Sequence, residues 1–365
     1  MFKNLSNKNK IVLLSLIIIP IIFILFLFLI KGCSNSSLSY EKYQNKMISA
    51  AKSYIEERKL QPKNEGGVVN IDLDKLIKSG YINDYKKSLG DVSCTGSISV
   101  RNNGASLKEN KGGYLIYIPD LKCDKYETKH IIDVLKKDIV TEKSGLYQYG
   151  NGYIYKGLKV NNYVSFYKDL YRIISIDENN ILKLIKVESE DDTVAWDMKF
   201  NSDLDEKSGK NDYSDSNILD HLSTLYLNAS EDKKKHLIGY NVCYGNRSLD
   251  NVEINNVQEC ELKLPNQFYS LMSAYEYSMA SYDKDCVTIS SGACSNYNYL
   301  YDILNNTWLM NGVKDNSSDV YFYSSGYIDY DLASYEMFYN IVIYVDGNEV
   351  FTKGDGTLKN PYIIN

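Results

Sequence analysis

The chain has 365 residues, with 41 Lys plus Arg against 47 Asp plus Glu and a formal net charge of −6. Lys3, Lys8, Lys10 and Lys31 account for four of those cations, leaving 37 against 47, a formal charge of −10, for everything beyond position 31. That balance argues against nucleic acid and an anionic lipid surface as partners, because both reward clustered Lys and Arg.

Residues 1–10 carry three lysines and read as a cytoplasmic tail. Residues 11–30 follow without a charge and are apolar except at Ser15 and Pro20. At about 1.5 Å per residue the run matches a hydrocarbon core of roughly 30 Å, so it is expected to be a transmembrane helix and the membrane an expected partner. The apolar run is longer than that of a secretory signal peptide and ends at Lys31, which favours an uncleaved anchor. Lysines on both sides make the charge asymmetry weak, and the cysteines decide the orientation. Cys94, Cys123, Cys243, Cys260, Cys286 and Cys294 fall into three couples local in sequence, and Cys33 is left over. Six cysteines leave several connectivities open, but there is no CxxC and no HxxxH to hold a metal, so disulfides are the preferred reading. Disulfides persist outside the cytoplasm, which places the C-terminal bulk of a single-pass chain there.

After a polar break at 34–39, Tyr40, Tyr43, Met47, Ala51, Tyr54 and Arg58 recur at helical spacing. Pro62 ends that helix. In "IDLDKLIKSGYI" Asp72 is the expected cap, Leu73, Leu76 and Ile77 the buried stripe, and Gly80 the left-handed stop. Strands are expected at 97–100 and 114–118. A charged stretch with a short helix in "HIIDVLKKDI" then leads to the glycine-rich "KSGLYQYGNGYIYKG", and 129–150 reads as a linker. Beyond it, "YVSFYKDLYRIISI" and "ILKLIKV" are strands joined by the turn "DENN". Helices are expected in "SNILDHLSTLYLN", with Ile218, Leu222, Leu225 and Leu227 apolar, and in "SAYEYSMAS", with Ser273 as cap. Late strands are expected at 320–323 and 340–345. The fold class is α+β, with an antiparallel sheet in the larger domain.

The membrane helix, the amphipathic helix, "L..LI..GYI", "CTGSISV" and "YLIYIPDLKC" resemble small pilin-like ectodomains on surface proteins of low-GC Gram-positive bacteria. The resemblance makes 38–128 a pilin-like α+β domain and implies a Cys94–Cys123 bridge. The N-terminus lacks the "GFTLIE"-like prepilin signal of that pattern. The stretch 151–365 closely resembles the C-terminal domain of unknown function of the same surface proteins, through "GLYQYGNGYIYKG", "NNYVSFYKDLYRIISI", "AWD", "SLMSAYEYSMAS", "NTWLMN" and "GDGTLKNPYIIN". Tyr171 replaces the more usual Trp of that family. More remotely, the order of elements resembles a C-type-lectin-like fold, the one shared with formylglycine-generating enzymes. For the other two cysteine couples the local pairing, Cys243–Cys260 and Cys286–Cys294, is expected because each brackets a turn-rich insert short of apolar residues. Cys33 sits in "IKGC", which resembles a lipobox apart from Lys31. A spanning helix with an incidental thiol is preferred, and lipidation of Cys33 is the alternative.

No catalytic, metal-binding or cofactor-binding residue is expected. There is no nucleophile elbow, P-loop or HExxH. His221 and His236 read as surface histidines, "ESEDD" at 188–192 as a solvated loop, and Asp355 of "GDGT" as a turn residue rather than a calcium ligand. Tyrosine is abundant, with 34 residues, and offers contact area at low entropic cost, although Tyr, Asn, Ile and Lys share AT-rich codons. The expectation is therefore a non-enzymatic surface binding or adhesion module for an unknown protein or carbohydrate ligand, with an exposed aromatic or polar cluster in loops 191–215 and 283–296. A structural component of a pilin-like assembly is the alternative, and it would leave an apolar face open on the first ectodomain helix. Protease added to intact cells or spheroplasts should digest the chain beyond Cys33, and intact mass should show residues 3–10 retained and no acyl group. Survival of the ectodomain until lysis, or a diacylglyceryl-cysteine at the N-terminus, would overturn this topology and anchorage.

Overall fold

The structure is a computed structural model that describes residues 39–64, 66–104, 114–249 and 253–364. The predicted tail 1–10, spanning segment 11–30 and Cys33 lie outside the described residues. Among the described residues no helix is long and apolar enough to cross a membrane. The fold is a mixture of helix and largely antiparallel sheet, an α+β architecture. Two compact units make it up, one of residues up to 60, 70–99 and 119–128, the other of 61–69, 100–118 and 129–365.

In the first unit a helix over 39–58 buries Tyr40, Tyr43, Met47, Ala50, Ala51, Tyr54 and Ile55. Its apolar face is thus covered, and Lys59, with φ at 54°, breaks it ahead of Pro62. Arg58 leaves the stripe and lays its guanidinium 4.9 Å from the centre of the Tyr54 ring. Polar groups on the covered face are paired: Gln44 Nε2 donates to Thr128 Oγ1 at 2.5 Å and Gln44 Oε1 accepts from Tyr126 at 2.8 Å. The helix Leu73–Lys78 buries Leu73 and Leu76, and Asp72 stands at its N-cap without capping through its side chain. Gly80 takes the left-handed φ of +78°. Cys94 is bridged to Cys123, and the strands Val68–Asp72, Cys94–Asn102, Leu115–Cys123 and Tyr126–Glu127 pair in that order in a four-stranded sheet that is not confined to the residues of this unit.

The second unit is organised by an eight-stranded sheet. Its main path runs Tyr269–Ser270, Val342–Asp346, Ile181–Lys186, Asp169–Ile176, Gly152–Lys156, Gly145–Tyr149. Tyr163–Phe166 pairs with Asp169–Ile176, and Tyr362–Ile364 adds beside it as a parallel strand. Val342–Asp346 is buried at all five positions, which is why its first four residues are a continuous apolar run rather than an alternation. The hairpin between Tyr163–Phe166 and Asp169–Ile176 turns on Tyr167 and Lys168, with φ of 49° and 76°. Such a turn ordinarily takes Asn-Gly or Asp-Gly, so the sequence carries no local sign of it. A second sheet of three strands comprises Thr307–Gly312, Asp319–Ser324 and Tyr327–Leu332. Trp196 and Trp308 are buried and tie neighbouring elements together: the Trp196 indole donates to the Leu309 carbonyl at 3.0 Å and the Trp308 indole to that of Val194 at 2.9 Å. Burying each such ring contributes on the order of 1.5–3 kcal/mol, and the hydrogen bonds keep the indole N–H from offsetting it.

The stretch 129–150, read as a linker, is instead part of this unit. Ile131, Ile132 and Leu135 of the helix Ile131–Leu135 are buried in its core, and Gly145–Tyr149 is the edge strand. The short helix lacked a long period, and of the glycines that follow it Gly150 makes a turn with φ of +56° while Gly145 and Gly152 serve close packing. A Cβ on Gly152 would stand 2.3 Å from the Ile176 carbonyl oxygen, so only glycine lets the two strands meet there. In the helix Asn217–Asn228, Ile218, Leu219 and Leu222 are buried while Leu227 is exposed, because the last turn runs past the core.

A candidate binding cleft lined by tyrosines

A cavity of about 960 Å³ opens over one face of the large sheet. Its floor is made by Tyr153, Ile174, Lys183 and Tyr344 from four adjacent strands. One wall is the strand Tyr240–Tyr244 together with the end of the insert that follows it, Glu259 and Cys260. The other is the helix Ala274–Met279, presenting Tyr275, Glu276 and Met279. Tyr149, Asn151 and the turn 177–179 form the rim.

Period-2 alternation explains the floor: Leu182 and Leu184 point into the core, so Lys183 between them points to the cleft. There its Nζ meets Glu276 Oε1 at 2.5 Å and lies 5.8 Å from the Tyr344 ring centre. Glu276 is fixed in turn by a capping box, since its Oε2 accepts the Ser273 N–H at 3.0 Å while Ser273 Oγ accepts the Glu276 N–H at 3.2 Å. The Tyr240 and Tyr344 rings stack at 4.5 Å, and the Tyr275 and Tyr149 hydroxyls are hydrogen-bonded to each other. Burial raises the Tyr240 and Tyr275 phenols above their ordinary values, so both stay neutral donors. Asp177, also raised by burial, accepts the backbone N–H of Ile181 at 2.7 Å and of Asn179 at 2.9 Å.

The wall depends on a buried ion pair. Arg247, fully buried, donates through Nη1 to Glu259 Oε1 and to the Asn255 carbonyl, both at 3.0 Å, and through Nη2 to the Glu253 carbonyl at 2.5 Å. Glu259 Oε1 also accepts the Tyr275 N–H at 2.7 Å, which links the insert to the helix on the opposite wall. Its Oε2 is buried without a hydrogen-bond partner. Desolvation therefore outweighs the attraction of Arg247 and pushes the Glu259 carboxyl up to about 7. The Cys243–Cys260 disulfide closes the same insert at its ends.

Of the residues singled out in sequence, Cys243 and Cys260 line the cleft, whereas Cys286–Cys294 and Cys94–Cys123 close loops elsewhere. His221 and His236 are half-buried and paired rather than free on the surface. The His221 ring nitrogen meets the Tyr339 hydroxyl at 2.7 Å and His236 Nδ1 meets Glu349 at 2.9 Å. Burial alone would lower the His236 pKa, but Glu349 beside it makes the net shift upward. Asp355 is engaged by the Thr357 N–H and hydroxyl, the geometry of a turn. Among the described residues no group of three or more His, Cys, Asp or Glu gathers to hold a metal ion. Loop 191–215 exposes Met198, Phe200 and Leu204, and loop 283–296 exposes Val287. On the helix Ala274–Met279, Tyr275 and Met279 face the cleft, whereas Tyr277 is buried. Arg247 and Glu259 were missed because nothing in "GNRSLDNVEINNVQE" distinguishes a buried ion pair from a polar loop.

Comparison of the chain with protein families, with curated proteins and with solved structures finds no match in any of the three.

The Glu259 carboxyl sets a pH dependence. Its folded value of about 7 lies above the unfolded 4.5, so the folded state binds the extra proton and stability from this group is present below about pH 4.5 and lost as pH rises through about 7. Urea unfolding at pH 5 and pH 8 should show a smaller drop in stability for Glu259→Gln than for the parent chain. An equal drop in both would contradict the assignment.

Proposed function

We propose that the protein is a non-catalytic binding module of the cell surface, held by the segment 11–30 in the membrane with its C-terminal bulk outside the cytoplasm, and that its ligand lies in the tyrosine-lined cleft. The observation that carries this reading is the cleft itself: about 960 Å³, at the large end of ligand sites, with stacked rings, phenol hydroxyls and a fixed Lys183–Glu276 pair at its floor. Three disulfides are compatible with an oxidising compartment. The charged groups of the cleft are committed to structure: Glu276 to a helix cap and Lys183, Glu259 to Arg247 and a backbone amide.

The reading includes the kinship with surface proteins of low-GC Gram-positive bacteria, a pilin-like domain at 38–128, and a C-type-lectin-like arrangement for 151–365. The alternative of a structural part in a pilin-like assembly is the weaker one, because the apolar face of the helix over 39–58 is already covered within its own unit. Full-length protein in nanodiscs, screened on peptide and glycan arrays, should retain a ligand that Tyr240→Ala and Tyr275→Ala each weaken about tenfold, the scale of one lost aromatic contact and its hydrogen bond. Undiminished binding in both folded variants would place the ligand elsewhere, and turnover of any arrayed compound would contradict the non-catalytic assignment.

A further inference from the structure

A second surface of the same unit, outside the cleft, gathers exposed tyrosines around the Cys286–Cys294 loop. Tyr282, Tyr297, Tyr301 and Tyr327 are 41, 60, 43 and 57% exposed. Burial of large rings is the default, so four rings left out together mark an interaction surface rather than scattered exposure. They are neighbours in space. The Tyr282 N–H donates to the Tyr297 carbonyl at 3.2 Å. The Tyr327 ring lies against Gly292 and the Tyr301 ring against Gly326, where an added Cβ would stand 2.9 and 3.0 Å from ring carbons.

The loop that carries them is held rigid. Ser281 Oγ donates to the Asn296 carbonyl at 2.8 Å, and Asn298 Nδ2 donates to the carbonyls of Tyr277 and Cys294, both at 2.8 Å. Tyr297 itself occupies the left-handed region, with φ at 47°, a conformation that a bulky residue keeps only when its surroundings fix it. Rings presented on such a frame lose little freedom on binding.

Charge selects the occupant. Asp283, Asp285, Asp302 and Asp329 stand among these tyrosines in the loop, the adjoining turn and the hairpin strand, with Lys284 the local cation. Tyr327 and Asp329 are two apart on the strand Tyr327–Leu332 and so share a face. The Asp285 N–H and Asn296 amide hold Asp283 below the usual carboxylate range, so it keeps its charge. We propose that this tyrosine and carboxylate surface docks a peptide segment of a protein partner that presents Arg or Lys side chains, each cation seated over a ring face with its charge directed to a neighbouring carboxylate.

Fluorescein-labelled (Arg-Gly)₅ and (Glu-Gly)₅ peptides, titrated against the full-length chain in neutral nanodiscs at 150 mM salt and followed by anisotropy, test this. The arginine peptide should bind saturably and the glutamate peptide should not. Tyr297→Ser with Tyr327→Ser should weaken binding about tenfold or more. Asp302→Asn with Asp329→Asn, exposed changes that leave the fold intact, should weaken it several-fold. Asp203→Asn with Asp205→Asn, equally acidic but on another loop, should leave it within twofold. Absence of saturable binding, equal binding of both peptides, undiminished affinity in the 302/329 variant, or equal loss from the 203/205 variant would each overturn the proposal. Since Tyr240 and Tyr275 lie in the cleft, their substitution should leave this titration unchanged, which separates the two surfaces.

Discussion

The cleft depends on the buried ion pair between Arg247 and Glu259. The insert between Cys243 and Cys260 has few apolar residues, and two of these, Leu249 and Val257, are exposed, so packing alone does not order it. Arg247 supplies what a core would otherwise supply. Its guanidinium gathers Glu253, Asn255 and Glu259, and its backbone N–H donates to Gly312 of the neighbouring sheet at 2.9 Å. Taking both charges out of water is costly, and the pair is retained where apolar residues of the same volume would serve stability as well. What the pair adds is position: three hydrogen bonds from one rigid fork fix the Glu253 and Asn255 carbonyls and the Glu259 carboxylate. The wall is therefore set to within hydrogen-bond tolerance, and the amide of Tyr275 on the opposite wall is bound to the same carboxylate.

The floor rests on a different principle. Val342–Asp346 and Ile181–Lys186 lie side by side, one buried at every position and the other breaking its burial at Lys183 and Lys186. Alternation along strands sends tyrosines to both sides of the sheet. Tyr344 illustrates the compromise, with its ring stacked on Tyr240 and its hydroxyl bonded to Ser270 Oγ at 2.7 Å. Phenols thus act as core residues through their rings and as polar anchors through their hydroxyls, and a chain rich in tyrosine can line a cleft without leaving buried apolar surface wet.

Much of the frame was legible from local rules. Ser273 caps its helix with Glu276 completing the box, Gly80 ends a helix in the left-handed region, and the β-branched runs at 169–176 and 181–186 are central strands. These features are encoded within a few residues. All three cysteine couples are joined as expected: Cys243–Cys260 and Cys286–Cys294 close turn-rich inserts, while Cys94–Cys123 links two paired strands. What escaped was set by distant partners. The Tyr167-Lys168 turn is imposed by the register of the strands around it. The helix Ile131–Leu135 was expected, but not its place in the core of the larger unit, where the Glu349 and Gly347 carbonyls accept its first N–H groups at 3.0 and 2.8 Å. Arg247 finds Glu259 only once the insert is closed, and no residue near either marks the pair.

Hydrogen exchange of Arg247→Met, compared with the parent chain, tests the ordering role of this pair most directly. Removing one partner of a buried pair costs about 3–5 kcal/mol. If the pair orders the insert, protection of the Arg247-position, Ile254 and Cys260 amides should fall on the order of a hundredfold or more, while amides inside Ile181–Lys186 and Val342–Asp346 keep theirs. Unchanged protection across the insert would contradict the account and leave the disulfide alone to shape that wall.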